Sequence, residues 1–423
     1  MRRYGGSSSC FSWGNGTEAT PVLLTVTMMV SIRFLQLLSL LVSASPLALS
    51  APSSQTKAEV AFNTLQTWYN RTSGIYDTTG WWNSANCITA IGDLAAIDSS
   101  VASTVKDVYS NSIVQAQKYN LNELKVVQTD YNVVSYYGPT FPSNVVAPAA
   151  TNPKGFLNGY YDDEGWWALA WIQAYDISKN TLYLQHAMDI FADMKSTGAT
   201  TPCNGGIWWD KAHTYVNAIA NELYLSVAAH LANRATGSNK TTYLNAANAQ
   251  WTWFQRIGLI NSKNLINDGL TSSCVNNNAT VWTYNQGVIL GALVELSTAT
   301  GNKTLLTKAT AIANAAITAL SDSNKVLHDP CEPNCGGDGS QFKGVFMRNL
   351  QILQKAAPSQ TYLDFFKANA ASIWAYDQRA GKLSTVWSGG FVSPANASTQ
   401  SSALDALVAD QAFGGGANAI ASR

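Results

Sequence analysis

The sequence predicts an all-α protein whose helices come in pairs around a common centre. Apolar residues recur with the period of a helix, strand-like alternation is nearly absent, and many of the helices end in Gly-Asn or Asn-rich turns such as Thr300-Gly301-Asn302. Such turns stop one helix and restart the next, which is the rhythm of stacked helical hairpins.

In chain order, helices are expected at about 56–70, 81–98 and 101–119, the second opening on Trp81-Trp82-Asn83-Ser84-Ala85-Asn86. Those at about 164–178 and 180–196 follow, the former apolar from Trp166 to Tyr175 behind an acidic cluster. The next pair, about 214–235 and 240–257, carries Asn221-Glu222 on its first member. Helices at about 280–300 and 302–320 meet at the Gly301-Asn302 stop, and Thr283-Tyr284-Asn285-Gln286-Gly287 begins the first of them. The last three are expected at about 341–356, with Lys343 to Asn349 in it, 360–376 and 400–412. Helices that carry these polar and aromatic motifs belong inside, where they converge on one cavity. Buried Asn and Gln also bond neighbouring helices and specify packing, so each of these residues has a packing reading beside the substrate one.

Composition narrows the function. The 423 residues are 46% hydrophobic, enough for a large core, while only 12% are charged and the formal net charge is zero. No electrostatic footprint for nucleic acid is present. A basic-flanked apolar run, Ile32 to Val42, is followed by small residues ending Ala48-Leu49-Ser50, which reads as a signal peptide. It lies far from Met1, so translation is expected to begin at Met28 or Met29, with residues 1–50 as leader and signal and 51–423 as a single catalytic domain. A signal anchor competes with this reading, but the run is short for a spanning helix, and no stable membrane anchor is expected.

Sequons at Asn70, Asn239, Asn278, Asn302 and Asn396 fit a secretory route. The cysteines fit an oxidising compartment. Cys331 and Cys335 can close a small loop, Cys203 and Cys274 are the next plausible pair, and Cys87 is left as a buried thiol on an apolar helix. Cys10 leaves with the leader. The few histidines are scattered without ligand spacing, so neither a metal site nor a cofactor is expected.

The chemistry concentrates in Asp162-Asp163-Glu164-Gly165-Trp166-Trp167. Glycoside cleavage uses one carboxylic acid to protonate the leaving oxygen and a second carboxylate as nucleophile or base, with aromatic faces holding the sugar. Inside a helix, neighbouring side chains diverge by roughly 100° and could not converge on one bond. At a helix N-terminus the preceding residue lies in the loop, so both carboxylates can open into one cavity about 5 Å apart. The helix dipole favours ionised carboxylates there, and mutual repulsion should keep one member protonated. Capping of exposed N–H groups is the competing account of an acidic cluster at a helix start. The Trp-Trp pairs at 81–82, 166–167 and 208–209 weigh towards a sugar site, although core packing explains some of them.

Tyr161-Asp-Asp-Glu-Gly-Trp-Trp167, Cys203-Asn-Gly-Gly-Ile-Trp-Trp209, Asn221-Glu-Leu-Tyr224, Asp268-Gly-Leu270, Thr283-Tyr-Asn-Gln-Gly287 and Phe342-Lys-Gly-Val-Phe-Met-Arg348 together resemble glycoside hydrolase family 76 over about residues 56–415. The resemblance implies an (α/α)6 barrel and endo-acting α-1,6-mannanase chemistry with retention of configuration. It makes Asp162 the nucleophile and Asp163 the general acid/base. It places Asp268 in the cleft as a hydroxyl-binding acid and assigns Trp82, Asn86, Trp209, Asn285, Gln286 and Arg348 to the sugar-binding wall.

Some fungal relatives in that family are GPI-anchored proteins that remodel the cell wall, and a mannosyl transglycosylase acting on mannan or GPI-core glycans is the alternative activity. The run from Asp410 to Arg423 lacks the apolar stretch of a GPI signal, so a soluble, monomeric enzyme, secreted or associated with the wall, is expected. A silent mannan-binding protein is the third possibility. It would need no acidic pair.

Overall fold

The inner layer is set by helices that are apolar nearly all round. A computed structural model describes residues 55–121, 123–137, 155–199 and 201–414. Among the described residues there are helices α1 (Lys57–Gln66), α2 (Trp81–Ala95), α3 (Ala102–Tyr119), α4 (Tyr161–Ser178), α5 (Thr181–Gly198) and α6 (Ala218–Arg234). They continue with α7 (Gly237–Arg256), α8 (Thr283–Thr300), α9 (Thr304–Ala319), α10 (Phe342–Ala356), α11 (Gln360–Ser372) and α12 (Ala397–Gly414). A single turn at Gly336–Gly339 precedes α10.

The even-numbered helices pack side by side in chain order, and α12 closes on α2. The odd-numbered helices lie outside: α3 on α2, α5 on α4, α7 on α6, α9 on α8, and both α1 and α11 on α12. This is the (α/α)6 barrel. Burial separates the layers as amphipathicity requires. On α8 nearly every residue from Thr283 to Ser297 is buried, whereas α5 buries a stripe of Tyr183, Leu184, Ala187, Ile190, Phe191 and Met194. Glycines let inner helices touch backbone to backbone. A Cβ on Gly287 would lie 2.6 Å from Phe346 Cα, and one on Gly344 would lie 2.5 Å from Ser402 Cα.

All twelve expected helices are present, with ends displaced by a few residues. The Gly301 stop is real: it takes the left-handed conformation, φ 74°, and its N–H donates to Ser297 O to close α8. One element departs from the sequence reading. After the two-residue strands β1 (Tyr69–Asn70) and β2 (Ile75–Tyr76), strands β3 (Glu123–Val127) and β4 (Val133–Tyr137) form an antiparallel hairpin with Lys125 opposite Ser135. Its buried positions include the charged Glu123 and Lys125, so the apolar-in, polar-out alternation that signals a strand is missing.

Disulfides join Cys203 to Cys274 and Cys331 to Cys335, and Cys87 is a buried free thiol. Burial pushes that thiol up to about 12, which leaves it inert. The sequons Asn239, Asn278 and Asn302 are exposed, while Asn70 and Asn396 are partly buried. The leader, the signal run, Met28, Met29 and Cys10 lie outside the described residues. No described helix is long and apolar enough to cross a membrane.

Candidate active site

Helix α4 begins at Tyr161, so Asp162 and Asp163 both stand in its first turn and neither is in the loop. The cap residue Tyr160 makes no side-chain capping bond. Neighbouring residues on a helix point in different directions, and the two carboxylates consequently have different surroundings.

Asp162 lines a cavity walled by residues of the inner helices and of the loops between them. Its Oδ2 accepts from Trp209 Nε1 at 3.1 Å, while its buried Oδ1 has no hydrogen-bond partner among the described residues. Asp163 is fully buried. Its Oδ1 accepts from Lys125 Nζ and its Oδ2 from Asn158 Nδ2 at 2.6 Å. The same Lys125 Nζ stands 3.5 Å from Asp162 Oδ2. Glu164, the third acid, is ion-paired with Lys211 at 2.7 Å and accepts from the Asn158 backbone N–H at 3.1 Å. Its role is to fix the loop that enters α4.

Burial is the main force on this cluster. It pushes the Asp162 carboxyl up to about 7 against the pull of Lys125, with Asp163 adding a smaller upward push. The repulsion expected from the sequence is therefore real but secondary to desolvation. Burial and then Asp163 also push Glu123 well above the carboxylate range, which keeps that neighbour neutral. Lys125 loses solvation as well, yet Asp162 and Asp163 outweigh that loss and hold it protonated.

The cavity measures about 420 Å³ and is lined from all sides. One wall is aromatic and continuous: Trp82 stacks on Trp166 at 5.5 Å and on Phe342 at 6.2 Å, and Phe342 stacks on Tyr284 at 3.8 Å. The tryptophan pairs divide their labour. Trp82, Trp166 and Trp209 line the cavity, while Trp81 and Trp167 are fully buried in the core and Trp208 stacks on His213. The polar lining includes Asp268, whose Oδ2 accepts from Tyr215 OH at 2.6 Å, and Asp338, which accepts from Trp82 Nε1 at 2.7 Å and from Ser135 Oγ. Burial pushes the Asp268 carboxyl up to about 7.

Of the wall expected from the sequence, Trp82, Trp209 and Asp268 line the cavity; Asn86, Asn285, Gln286 and Arg348 do not. Arg348 pairs with Asp405 at 3.1 Å, bonds Asn86 Oδ1 and lies 5.8 Å from the Trp166 ring, so it supports that ring. Gln286 bonds both the N–H and the carbonyl of Ile266, at 2.9 and 2.8 Å, and pins the loop that carries Asp268. Asn285 is fully buried. The sequence reading missed Lys125, Glu123, Asn158 and Asp338. Asn158 stands four residues before the acidic pair and was open to notice, whereas the others lie far away in sequence with no motif of their own.

Stacked aromatic faces beside a carboxylate with a free oxygen, and a second carboxylate next to it, are the groups a glycoside hydrolase uses. The profile of Glycosyl hydrolase family 76 matches residues 53–416, and the chain belongs to that family. Among curated proteins it is similar to Mannan endo-1,6-alpha-mannosidase DFG5 of Candida albicans, at 25% identity over 66% of this chain and 59% of that protein. It is also similar to the protein of that name in Saccharomyces cerevisiae, at 28% identity over 49% of each. The chain thus spans about half the length of the curated relatives it matches. Among solved structures, an inactive variant of the alpha-1,6-mannanase GH76A of Salegentibacter with alpha-1,6-mannotriose superposes with a TM-score of 0.66 at 20% identity, over 84% of this chain and 98% of that one. Dfg5 of Chaetomium thermophilum with glucosamine gives a TM-score of 0.66 at 18% identity, over 83% and 88%.

Proposed function

We propose that this chain is a secreted, retaining endo-α-1,6-mannanase that works through a covalent glycosyl-enzyme. Asp162 attacks the anomeric carbon, Asp163 protonates the departing mannose oxygen, and Asp163 then activates the water that releases the product. The observation that carries this reading is Asp162 on the cavity wall with one oxygen unbonded and a second carboxylate beside it. One ammonium lies within 3.5 Å of an oxygen of each, so the pair is compact. That favours the separation of about 5 Å typical of retaining enzymes over the roughly 6.5–9.5 Å of inverting ones. Support comes also from the Salegentibacter mannanase, whose inactive variant replaces two adjacent aspartates with asparagine. Trp82, Trp166 and Trp209 offer sugar-stacking faces, and Asp268 with Tyr215 offers hydroxyl contacts.

A sugar acceptor can intercept the same intermediate, which makes mannosyl transfer the alternative. Incubation with linear α-1,6-mannan, with and without a free oligosaccharide acceptor, separates the two: shorter products mean hydrolysis and longer ones transfer. An unchanged substrate in both arms sinks both.

A further inference from the structure

Lys125 is not part of the barrel. It reaches the acidic pair from strand β3, whose two-residue alternation puts Glu123 and Lys125 on one face. The Lys125 Nζ bonds Asp163 Oδ1, stands 3.5 Å from Asp162 Oδ2 and lies 4.9 Å from the Tyr160 ring. The far oxygen of Asp163 is fixed by Asn158, and Asp162 Oδ2 is steadied by Trp209. A buried charge without a partner is costly, and one ammonium can neutralise one carboxylate at a time.

We propose that Lys125 is a positioning residue whose one ammonium serves both carboxylates of the pair, bonding Asp163 and favouring the ionised form of Asp162 from 3.5 Å. This rests on reading Asp162 as nucleophile and Asp163 as acid/base. In the first half the Asp162 carboxylate bonds the anomeric carbon, the glycosidic C–O bond breaks and a proton from Asp163 passes to the departing oxygen. Asp162 is then an uncharged ester and Asp163 a carboxylate, which the ammonium faces across the contact present in the free protein. In the second half a water oxygen bonds the anomeric carbon, its proton goes to Asp163, and the electron pair of the broken ester bond returns to Asp162, again within reach of the ammonium. The three groups carry no net charge before or after the first half, so no uncompensated charge is buried.

Among the described residues, the other titratable groups near this trio do not supply a second cation. Glu123 beside Asp163 is kept neutral by burial, and Asp338, Tyr160, Tyr284, Asp268 and Glu222 are acids or phenols around the same space. Removing the Lys125 charge therefore lets Asp162 keep its proton to higher pH.

The test compares wild type with Lys125→Met, Lys125→Arg and Asp162→Asn, all checked by circular dichroism. The pH profile of kcat/KM on α-1,6-mannooligosaccharide and the carboxyl band in difference infrared spectra are titrated together. Lys125→Met should lose most turnover and move both the acidic limb and the carboxyl titration upward by about one pH unit or more, the scale of one nearby opposite charge. Lys125→Arg, which keeps the charge, should restore the position of the limb even with a reduced rate. An unmoved limb and unmoved carboxyl band in Lys125→Met overturn the proposal, as does a limb displaced equally in Lys125→Arg. Lys125→Gln replaces Lys125→Met should the latter fail to fold. Asp162→Asn at wild-type rate would overturn the underlying reading instead, and that result is distinct from the others.

Discussion

Trp82 Nε1 donates to Asp338 Oδ1 at 2.7 Å, tying inner helix α2 to the turn that follows the Cys331–Cys335 loop. Asp338 accepts from Ser135 of the β3–β4 hairpin with its other oxygen. One carboxylate thus joins three separate segments around the cavity and orients the Trp82 face that stacks on Trp166 and Phe342.

Replacing Asp338 with Ala should free the Trp82 ring and loosen the hairpin without touching the acidic pair. Hydrogen bonds to a charged group contribute roughly 1.5–3 kcal/mol, so KM for α-1,6-mannooligosaccharide should rise about tenfold while kcat changes less. Steady-state kinetics would decide it; an unchanged KM means that the link does not shape the sugar-binding wall.

The two aspartates should also differ in stability when each is made Asn. In Asp163→Asn the new amide NH2 must face either Lys125 Nζ or Asn158 Nδ2, both donors, and the buried Lys125 loses its nearest counter-charge. Breaking a buried pair in this way costs roughly 3–5 kcal/mol. Asp162→Asn can turn its NH2 to the side where Oδ1 has no partner, and it removes a charge that burial already disfavours. Thermal unfolding should place Asp163→Asn several degrees below Asp162→Asn, with both nearly inactive. Equal melting temperatures would show that the Asp163 contacts contribute little.

The sequence carries the barrel and half of the site for identifiable reasons. Helical periodicity and the Gly301 stop are local signals, and they located every barrel helix. The acidic pair and its tryptophans are contiguous and therefore visible. Lys125 is hidden because it sits on a strand whose polar residues face inward, and no local pattern announces such an inverted face. Asp405 is hidden too: its partner Arg348 is 57 residues away, and only the closing of α12 on the ring brings them together. Arg348 and Asn86 share motifs with residues that line the cavity but bond each other. On an inner helix, motif neighbours point around the helix, and some face the packing beneath.

Stability should fall as pH rises from about 5 to 8. Burial raises Asp93 to about 6 and Asp162, Asp268, Asp329 and Asp377 to about 7, so the folded state holds protons that the unfolded chain releases near its ordinary aspartate value of 3.8. A group of this kind contributes its full stabilisation below the unfolded pKa and loses it progressively up to the folded one. His328, raised by Glu332, acts in the same direction. His186 and His230 are lowered by burial and oppose it, while Glu295, Asp322 and Glu332, held below their ordinary values, matter only at more acidic pH. The acidic groups outnumber the opposing histidines. Melting temperatures at pH 5, 6.5 and 8 at constant ionic strength check this, and a rise across that range would contradict it.

Backbone contact between inner helices yields the last expectation. At Gly344 a methyl group would meet Ser402 Cα and the carbonyl oxygen of the same residue, at 2.5 and 2.8 Å, so neither neighbour can turn aside as a flexible side chain would. Gly287 meets Phe346 Cα and N in the same way, at 2.6 and 3.0 Å. Both glycines are helical, so alanine would be favoured by propensity alone by roughly 1 kcal/mol. Overpacking costs about 1–3 kcal/mol or more and should win, because relief requires moving a whole inner helix. Gly344→Ala and Gly287→Ala should therefore lower stability in urea titrations, whereas Gly301→Ala, with open space around it, should lose only the cost of a left-handed residue, roughly 1 kcal/mol. If alanine at 344 or 287 stabilised the protein, the helices would have room that this packing denies them.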